Sequence, residues 1–394
     1  MTFRPLSGYK VLDCSRLLPY QYCTLLLGDL GAEVLKIEEP GRGDYGRWFD
    51  LATPGVEKLS FRMANRNKKS MTLNLKTSKG REIFKRLASR YDVLLESFRP
   101  GVMNRLGLGY RAIRKLNPQI IYCSGTGYGQ NGPYRLKAGH DINYLSIAGI
   151  LGAAGWQKGR PSVPGIPIAD MAGGGLFSCL AILAALLGRE RTGQGQYIDV
   201  AMTDVMASFN IINIASALEK YPADGVPPYH TLSKCLAYNV YRTKDDKYIS
   251  LGNVERRFWA NFCRVVGRED LVHKQYYVYQ DGEETTETLK DLFLSKTLSE
   301  WLQRFADVDH CFAPVNTPEE AIRDPNLMAR GIIKKVKDAK RSKIIIVGFP
   351  ALFSGGLVCS RRPAPGLGIH TSQVLKEIGC SPGEIKQLKK AGVI

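Results

Sequence analysis

The chain has 394 residues, a length that predicts no more than two or three domains. Because 44% of the residues are hydrophobic and 23% are charged, the chain can bury a sizeable core, which excludes a disordered protein. The chain has 55 lysine and arginine residues and 37 acidic residues, which gives a net charge of +18. This charge indicates either a polyanionic partner, such as nucleic acid or a phosphate-rich cofactor, or a contribution to solubility alone. Because the basic residues are spread along the chain, they do not form the dense stripe that is typical of a nucleic-acid binder.

The first 200 residues alternate strand-like and helix-like segments. Short apolar runs predict strands, and longer periodic runs predict helices, with Ser78 as the N-cap of one of them. The predicted strands are 9–15, 33–39, 70–76, 91–98 and 119–129, and the predicted helices are 22–32, 78–90 and 110–117. This alternation predicts an α/β fold, in which a parallel sheet is covered by helices.

A glycine-rich loop, SGTGYGQNGP at 124–133, follows the last of these strands. Ligands in such sheets bind beyond the carboxyl ends of the strands, so the loop is in a suitable position. Its spacing is not that of the dinucleotide-binding fingerprint, because the chain continues into Gly132–Pro133 instead of opening a helix. The loop therefore indicates close backbone approach, or equally a plain turn.

Composition also predicts the cellular setting. The N-terminus lacks an apolar run long enough for a signal peptide, and the apolar segment 176–188 is shorter than the roughly 20 residues that span a bilayer. We therefore expect a buried helix at 176–188 and no membrane association. The nine cysteines form no C-x-x-C pairs, which predicts reduced thiols in the cytoplasm and no metal site.

A proline- and glycine-rich segment at 222–230 predicts a linker. Short strands at 236–243 and 247–253 and a helix at 255–267 follow it, and we interpret them as a smaller α+β domain. The predicted division is a large domain over 1–221, a small domain over 222–315, and a return segment over 316–394 that completes the large domain.

Three acidic or basic positions are candidates for chemistry. His140 follows a glycine, and its ordinary pKa suits proton transfer, although an Asp141 N-cap with a packed histidine beside it explains the pattern as well. If Asp141 opens a helix, its backbone N–H is a candidate for stabilising an oxyanion. Asp170 lies shortly before three consecutive glycines, which indicate that another group approaches the backbone closely there, although an ordinary N-cap role also explains Asp170. Glu255 by itself is typical of a glutamate in the first turn of a helix.

Several ordered motifs resemble those of one enzyme family. GHDINYLSIAGIL at 139–151, followed by ADMAGGG at 169–175, is similar to the α-methylacyl-CoA racemases of the family III CoA-transferase superfamily. The likeness covers nearly the whole chain. It includes LLLGDLGAEVLKIEEPGRGD at 25–44, LLESFRPGVMNRLGLGY at 94–110, RTGQGQYIDVAM at 191–202 and CFAPVNTPEEAIRDPNLMARG at 311–331.

This resemblance implies a fold and an assembly. It implies a large domain with a nucleotide-binding-like parallel sheet, a smaller domain, and a C-terminal segment that completes the large-domain sheet. It also implies two ring-shaped subunits that interlock as a homodimer. It further implies an acyl-CoA substrate and no cofactor beyond the CoA moiety of that substrate.

The resemblance also implies two alternative chemistries. In the racemases, a histidine and an aspartate act as bases on opposite faces of the α-carbon, and these correspond to His140 and Asp170. Glu255 corresponds to a residue that interacts with this pair without contacting the substrate. In the transferases, the aspartate is a nucleophile, and many have tyrosine where this chain has His140. We therefore expect a 2-methylacyl-CoA racemase, with a CoA-transferase that uses Asp170 as the alternative and a nucleic-acid-binding protein as a third, disfavoured one.

For CoA, the resemblance points to the basic stretch that leads into a strand, to one arginine, and to the residues around His140; solvated surface charge is the alternative for the basic positions. The implied contacts are Lys68, Lys69, Thr72, Leu73, Asn74, Leu75, Arg99, Gly139, Asp141 and Tyr144. Two departures from the family pattern are present. Tyr20 stands where relatives often have glycine, which bears on the acyl pocket, and Glu39 stands where many have arginine, which bears on a CoA contact.

Overall fold

The computed structural model describes residues 3–48, 57–153, 156–157, 160–218, 235–279, 282–337, 343–356, 358 and 362–394. The strands, in chain order, are β1 (Lys10–Cys14), β2 (Glu33–Glu38), β3 (Lys68–Thr72), β4 (Val93–Glu96), β5 (Ile121–Thr126), β6 (Trp156–Gln157), β7 (Arg160–Pro161), β8 (Gln196–Ala201), β9 (Tyr238–Arg242), β10 (Tyr248–Gly252), β11 (Phe312–Pro314), β12 (Ile333–Lys337) and β13 (Lys343–Val347).

The α-helices, in chain order, are α1 (Leu18–Asp29), α2 (Leu59–Ala64), α3 (Ser78–Ala88), α4 (Val102–Arg105), α5 (Tyr110–Leu116), α6 (Asp141–Ile147), α7 (Ile150–Ala153), α8 (Phe177–Thr192), α9 (Met202–Phe209), α10 (Ile211–Leu218), α11 (Arg256–Val266), α12 (Glu284–Leu294), α13 (Leu298–Arg304), α14 (Pro318–Ala321), α15 (Pro325–Ala329), α16 (Thr371–Glu377) and α17 (Pro382–Lys390). A π-helix, Ala169–Leu176, leads directly into α8.

A six-stranded parallel sheet in the order β3-β2-β1-β4-β5-β8 forms the centre of the first compact unit. Strand alternation sends Val11 into a core under α1 and α8, and Leu12 into a second core under α3 and α5. Both faces of the sheet are thus covered, which confirms the predicted α/β class. The order reverses between β1 and β4, and the crevice at such a reversal is where ligands bind in open α/β sheets.

Chain contacts divide the protein into two units. The first comprises residues 1–151, 163–209 and 325–394, and the second comprises 152–162 and 210–324. These boundaries differ from the predicted ones at 221/222 and 315/316. The predicted linker at 222–230 lies outside the described residues.

The second unit has its own small sheet and core. Strands β9, β10 and β11 pair antiparallel in the order β11-β10-β9, and α11, α12 and α13 supply buried aromatic side chains. Trp259 and Phe262 of α11 stack at 5.1 Å between ring centroids, and Trp301 of α13 packs 5.4 Å from Phe293. The predicted strands and helix at 236–267 are therefore present.

The C-terminal segment docks on β3 through hydrogen bonds. The backbone N–H of Gly368 donates to Ser70 Oγ at 2.8 Å, that of Ser70 donates to His370 Nδ1 at 3.1 Å, and that of Thr72 donates to Thr371 Oγ1 at 3.0 Å. The described part of 325–394 adds helices beside the six-stranded sheet and no strand to it. The expectation that this segment completes the sheet is wrong in that respect.

The apolar segment that was expected to be a short buried helix is longer and only half buried. Within the described residues, Ala169–Thr192 is the one helical run long and apolar enough to cross a membrane by length and composition, a test that core helices also pass. Cys179 and Ile182 are buried against the sheet, whereas Leu180 and Leu187 are 57% and 58% exposed.

Three consecutive glycines in the π-helix allow α1 to approach. A Cβ atom on Gly174 would lie 2.6 Å from Pro19 Cβ, and one on Gly175 would lie 2.8 Å from Tyr22 Cδ1. A Cβ atom on Gly173 would lie 3.2 Å from the backbone of Met202. The close approach that the glycines predicted is therefore packing within the protein.

This packing predicts opposite effects for two alanine substitutions in the same continuous helix. Gly174→Ala should destabilise the protein by about 1–3 kcal/mol, because Pro19 and Met202 leave no room for a methyl group. Gly188→Ala should be neutral or stabilise it by up to about 1 kcal/mol, because nothing lies within 4 Å of its Cβ position. Thermal unfolding of both variants measures the difference, and equal melting temperatures would contradict the packing role.

Candidate active site

One cavity of about 500 Å³ lies beyond the carboxyl ends of β1, β4 and β5. Its walls are the loops that follow these three strands, together with the segment that leads into α6. Both candidate bases, His140 and Asp170, line it. Three of the predicted contact residues also line it, namely Arg99, Gly139 and Tyr144.

His140 is the N-cap residue of α6. Its backbone N–H donates to Asn143 Oδ1 at 3.0 Å, and Tyr144 Oη donates to the carbonyl oxygen of Gly139 at 2.5 Å. Tyr144 and Leu145 bury the inner side of this short helix, while His140 stays exposed. The alternative of a packed core histidine is therefore excluded, because the side chain stands at the cavity wall.

Asp170 lies in the first turn of the π-helix, and its backbone N–H donates to Asp141 Oδ1 at 2.9 Å. Among the described residues, none donates a hydrogen bond to the Asp170 carboxyl group. Burial, and then the negative charge of Asp141, raise the pKa of Asp170 to about 7. At neutral pH this carboxyl group is therefore poised between its protonated and ionised forms.

The glycines of the loop after β5 accommodate aromatic side chains of the cavity. A Cβ atom on Gly125 would lie 2.0 Å from Tyr20 Cε1, and one on Gly127 would lie 2.3 Å from Tyr144 Cε1. The close backbone approach that this loop predicted is thus made by Tyr20 and Tyr144. No phosphate-binding role for the loop is needed to explain its glycines.

A buried ion pair holds the loop between β1 and α1. Lys36 Nζ lies 2.7 Å from Asp44 Oδ2, and Asp44 Oδ1 accepts the backbone N–H of Leu17 at 3.1 Å. Although burial opposes the charge, Lys36 and backbone donors hold the pKa of Asp44 at about 2. Leu17 has a φ of 63°, which is strained for a residue with a side chain. Neighbouring Arg16 lies between the rings of Tyr45 and Phe98, 5.3 Å from each centroid.

A second cavity of about 450 Å³ lies at the carboxyl ends of β1, β2 and β3 and is also lined by Arg16. Of the predicted CoA contacts, Leu73, Asn74 and Leu75 line it. Glu39 lines it as well, and Lys76 Nζ is 3.9 Å from Glu39 Oε1. The sequence analysis missed three cationic residues at this cavity, Arg16, Arg42 and Lys76, although each follows a strand at its carboxyl end.

The structure contradicts the assignment of Lys68 and Lys69 to phosphate contacts. Lys68 is 1% exposed, and its Nζ donates to Gln21 O at 3.0 Å and to Asn65 Oδ1 at 2.9 Å. Burial lowers the pKa of Lys68 to about 7. Lys69 is 8% exposed and pairs with Glu33 Oε1 at 3.3 Å. Both ammonium groups are committed to the protein, so they are not available to a ligand.

Two further predicted residues lie elsewhere. Thr72 Oγ1 is 3.2 Å from Thr371 Oγ1, so Thr72 pairs with the C-terminal segment and does not line either cavity. Glu255 is the exposed N-cap residue of α11 in the second unit, one position before the helix and not in its first turn. Within the described residues, no cluster of three or more histidine, cysteine or acidic side chains is arranged to hold a metal ion.

Comparison with known proteins gives one consistent family. The sequence model of CoA-transferase family III matches residues 6–371. The chain is 33% identical to the succinyl-CoA:glutarate CoA-transferase of Homo sapiens, covering 99% of this chain and 90% of that protein. It is 34% identical to the alpha-methylacyl-CoA racemase of Homo sapiens, covering 99% and 97%. A crystal structure of a CAIB/BAIF family protein from Brucella suis superposes with a TM-score of 0.81 at 28% identity, covering 95% and 99%.

The contact between the two aspartates predicts a measurable change in titration. Asp141→Asn keeps an oxygen that accepts the Asp170 N–H but removes the negative charge that raises the pKa of Asp170. The pKa of Asp170 should therefore fall, while burial keeps it above that of an ordinary aspartate. A ¹³C NMR titration of labelled aspartate carboxyl groups, with Asp170→Asn to assign the signal, measures it. An unchanged or higher pKa would show that Asp141 does not act on Asp170.

Proposed function

The chain belongs to CoA-transferase family III, and from this premise we propose that it racemises or epimerises the α-carbon of a 2-methyl-branched or related acyl-CoA. The observation that carries the proposal is the presence of His140 and Asp170 in the wall of one cavity. Such a reaction requires two proton-transfer groups, and a histidine and an aspartate can supply them. The mixture of transferases and racemases among the relatives is compatible with either chemistry, so the proposal depends on this pair.

Racemisation needs one group that takes the α-proton and another that returns a proton on the opposite face. An α-proton beside a thioester is weakly acidic, so a base must be held against it and the enolate must be stabilised. The imidazole of His140, in the cavity wall, is a suitable base. Because the pKa of Asp170 is raised to about 7, Asp170 can donate a proton in one direction and accept one in the other. The two roles exchange for the opposite enantiomer.

The thioester oxygen needs a donor while the enolate exists. The backbone N–H of Asp141, at the first position of α6, is the candidate that we propose. A preorganised donor of this kind contributes roughly 3 kcal/mol to transition-state stabilisation in comparable enzymes. The carboxylate of Asp141 is already held by the Asp170 N–H, which supports a fixed orientation for this segment.

We propose that the second cavity binds the CoA moiety. Arg42 and Lys76 supply positive charge for its phosphates, and Leu73 and Leu75 supply apolar contacts for its adenosine part. Arg16 lines both cavities, so it lies between the proposed nucleotide end and the proposed reacting end of the ligand. The carboxyl ends of β1 and β4, where the strand order reverses, favour this use.

A CoA-transferase is the second candidate, and the unpaired carboxyl group of Asp170 favours it. In that reaction the Asp170 carboxylate attacks the acyl carbonyl, the CoA thiolate leaves, and a mixed anhydride forms. The thiolate then attacks the aspartyl carbonyl, which releases the acid and leaves an aspartyl-CoA thioester for the acceptor carboxylate. His140 has no required part in these steps.

We also propose that two chains form an interlocked homodimer. Leu180 and Leu187 lie seven residues, or about two helical turns, apart on α8, and they are 57% and 58% exposed. Leu176, at the end of the π-helix, is 52% exposed. An apolar stripe of this kind is favoured at a buried surface. A second copy of the chain is the partner that the family resemblance implies.

His140→Ala and Asp170→Ala should each lower racemisation by at least about 100-fold, the usual contribution of a positioned acid or base. The measurement follows interconversion of the R and S forms of one 2-methylacyl-CoA in heavy water, together with deuterium uptake at its α-carbon, without any acceptor acid. CoA affinity, measured by calorimetry, should stay nearly unchanged in both variants, because neither residue lines the second cavity.

The same assay separates the two candidate reactions. Absence of exchange in the wild-type protein, together with CoA transfer to an added carboxylic acid that His140→Ala leaves intact, would establish the transferase and overturn the racemase. Normal racemisation in either alanine variant would overturn the two-base assignment.

Light scattering of the wild-type protein should give a mass near twice the 43.7 kDa of one chain. Replacing Leu180 and Leu187 together by glutamate should shift the protein to the monomer, because charge on a buried apolar stripe is costly. Leu116→Glu is the matched control, since this exposed leucine stands at the end of α5 away from the stripe. A monomeric wild type, or a double variant that remains dimeric, would contradict the proposal.

A further inference from the structure

Tyr20 lines the same cavity as His140 and Asp170, and it is only 2% exposed. It lies in the first turn of α1, directly after Pro19. Its Oη atom makes no hydrogen bond with any described residue. No hydrogen bond to a described residue therefore accounts for a tyrosine at this position, and its ring occupies part of the cavity wall.

The ring cannot swing away from the cavity wall. Gly125 of β5 lies so close to it that a Cβ atom there would be 2.0 Å from Tyr20 Cε1. On the other side, Pro19 and Tyr22 pack against Gly174 and Gly175 of the π-helix, which fixes the first turn of α1. The ring of Tyr20 is therefore held in a fixed position in the cavity wall.

The Tyr20 ring lines the same cavity as Asp170, the proposed proton-transfer group. Asp170 stands in the first turn of the π-helix, four and five residues before the two glycines that receive Pro19 and Tyr22. Burial, and to a smaller extent nearby charges that include Asp170, raise the pKa of Tyr20 well above its usual value. Because Tyr20 and Asp170 line the same cavity, an acyl group whose α-carbon is held at Asp170 shares that cavity with the Tyr20 ring.

We propose that Tyr20 determines acyl-chain specificity by filling the space that a long chain would occupy, so that the substrates are short α-branched acyl-CoA thioesters. This inference rests on the proposed function, because it assumes that the acyl group enters the cavity that Asp170 lines. Its physical basis is steric. A rigid ring in a fixed pocket rejects added methylene groups, each of which typically changes catalytic efficiency by about tenfold or more.

The experiment compares two thioesters with a chiral α-carbon, 2-methylbutanoyl-CoA and 2-methyldecanoyl-CoA, by deuterium uptake at the α-carbon in heavy water. The wild-type protein should favour the short thioester in kcat/KM by at least about tenfold. Tyr20→Leu removes the ring and should raise the long-to-short ratio by at least about tenfold. Tyr20→Phe keeps the ring and should leave the ratio unchanged, because the hydroxyl group takes no part in the steric effect.

Tyr91→Leu is the matched control, since Tyr91 is a buried tyrosine in the core on the other face of the sheet and lies outside the cavity lining. It should leave the ratio unchanged, and thermal unfolding of each variant checks that its fold persists. Equal use of both thioesters by the wild-type protein would overturn the inference without any variant. The same conclusion would follow from an unchanged ratio in folded Tyr20→Leu, or from a Tyr91→Leu ratio that rises as much.

Failure of the proposed function gives a different result. If neither thioester exchanges its α-proton but both donate CoA to an acceptor acid, the racemase proposal fails. The ratio of transfer rates for the two chain lengths then tests Tyr20 in the same four proteins.

Discussion

The hydrogen bond from the Asp170 N–H to Asp141 Oδ1 joins two segments 29 residues apart in the chain. It ties the start of α6 to the first turn of the π-helix, and so it brings His140 to the same cavity as Asp170. The same carboxylate also helps burial to raise the pKa of Asp170 to about 7. One side chain therefore positions the candidate pair and tunes one member of it, and the proposed chemistry depends on both effects.

The fold was largely predictable because its signals are local. Strand-length apolar runs alternating with amphipathic helices are sufficient to indicate a parallel sheet with covered faces. The edge strand β8 was missed, since its residues are mostly exposed or half-buried and lack an apolar run. The N-cap of α3 is Thr77, whose side chain accepts the Gly80 N–H at 3.0 Å, and not Ser78, because neighbouring hydroxyl residues carry the same sequence signal.

The candidate site was predictable only in part, because its outcome depends on contacts distant in the chain. The family resemblance suggested that the basic residue Lys68 faces a ligand, yet a backbone carbonyl and Asn65 accept hydrogen bonds from its ammonium group inside the protein. The three glycines indicated close approach without identifying the approaching group, which is Pro19 at Gly174. Arg42, by contrast, lies in the loop that follows β2, four residues after its last residue, and this position near a strand end was a usable signal.

The central claim is that two different bases act on opposite faces of one α-carbon. It is tested most directly by deuterium uptake into the separate R and S forms of one 2-methylacyl-CoA, with His140→Ala and Asp170→Ala compared. The account predicts that each variant stops racemisation but still exchanges the α-proton of one enantiomer, and that the two variants retain opposite enantiomers. Loss of exchange for the same enantiomer in both variants, or racemisation that persists in either, would contradict it.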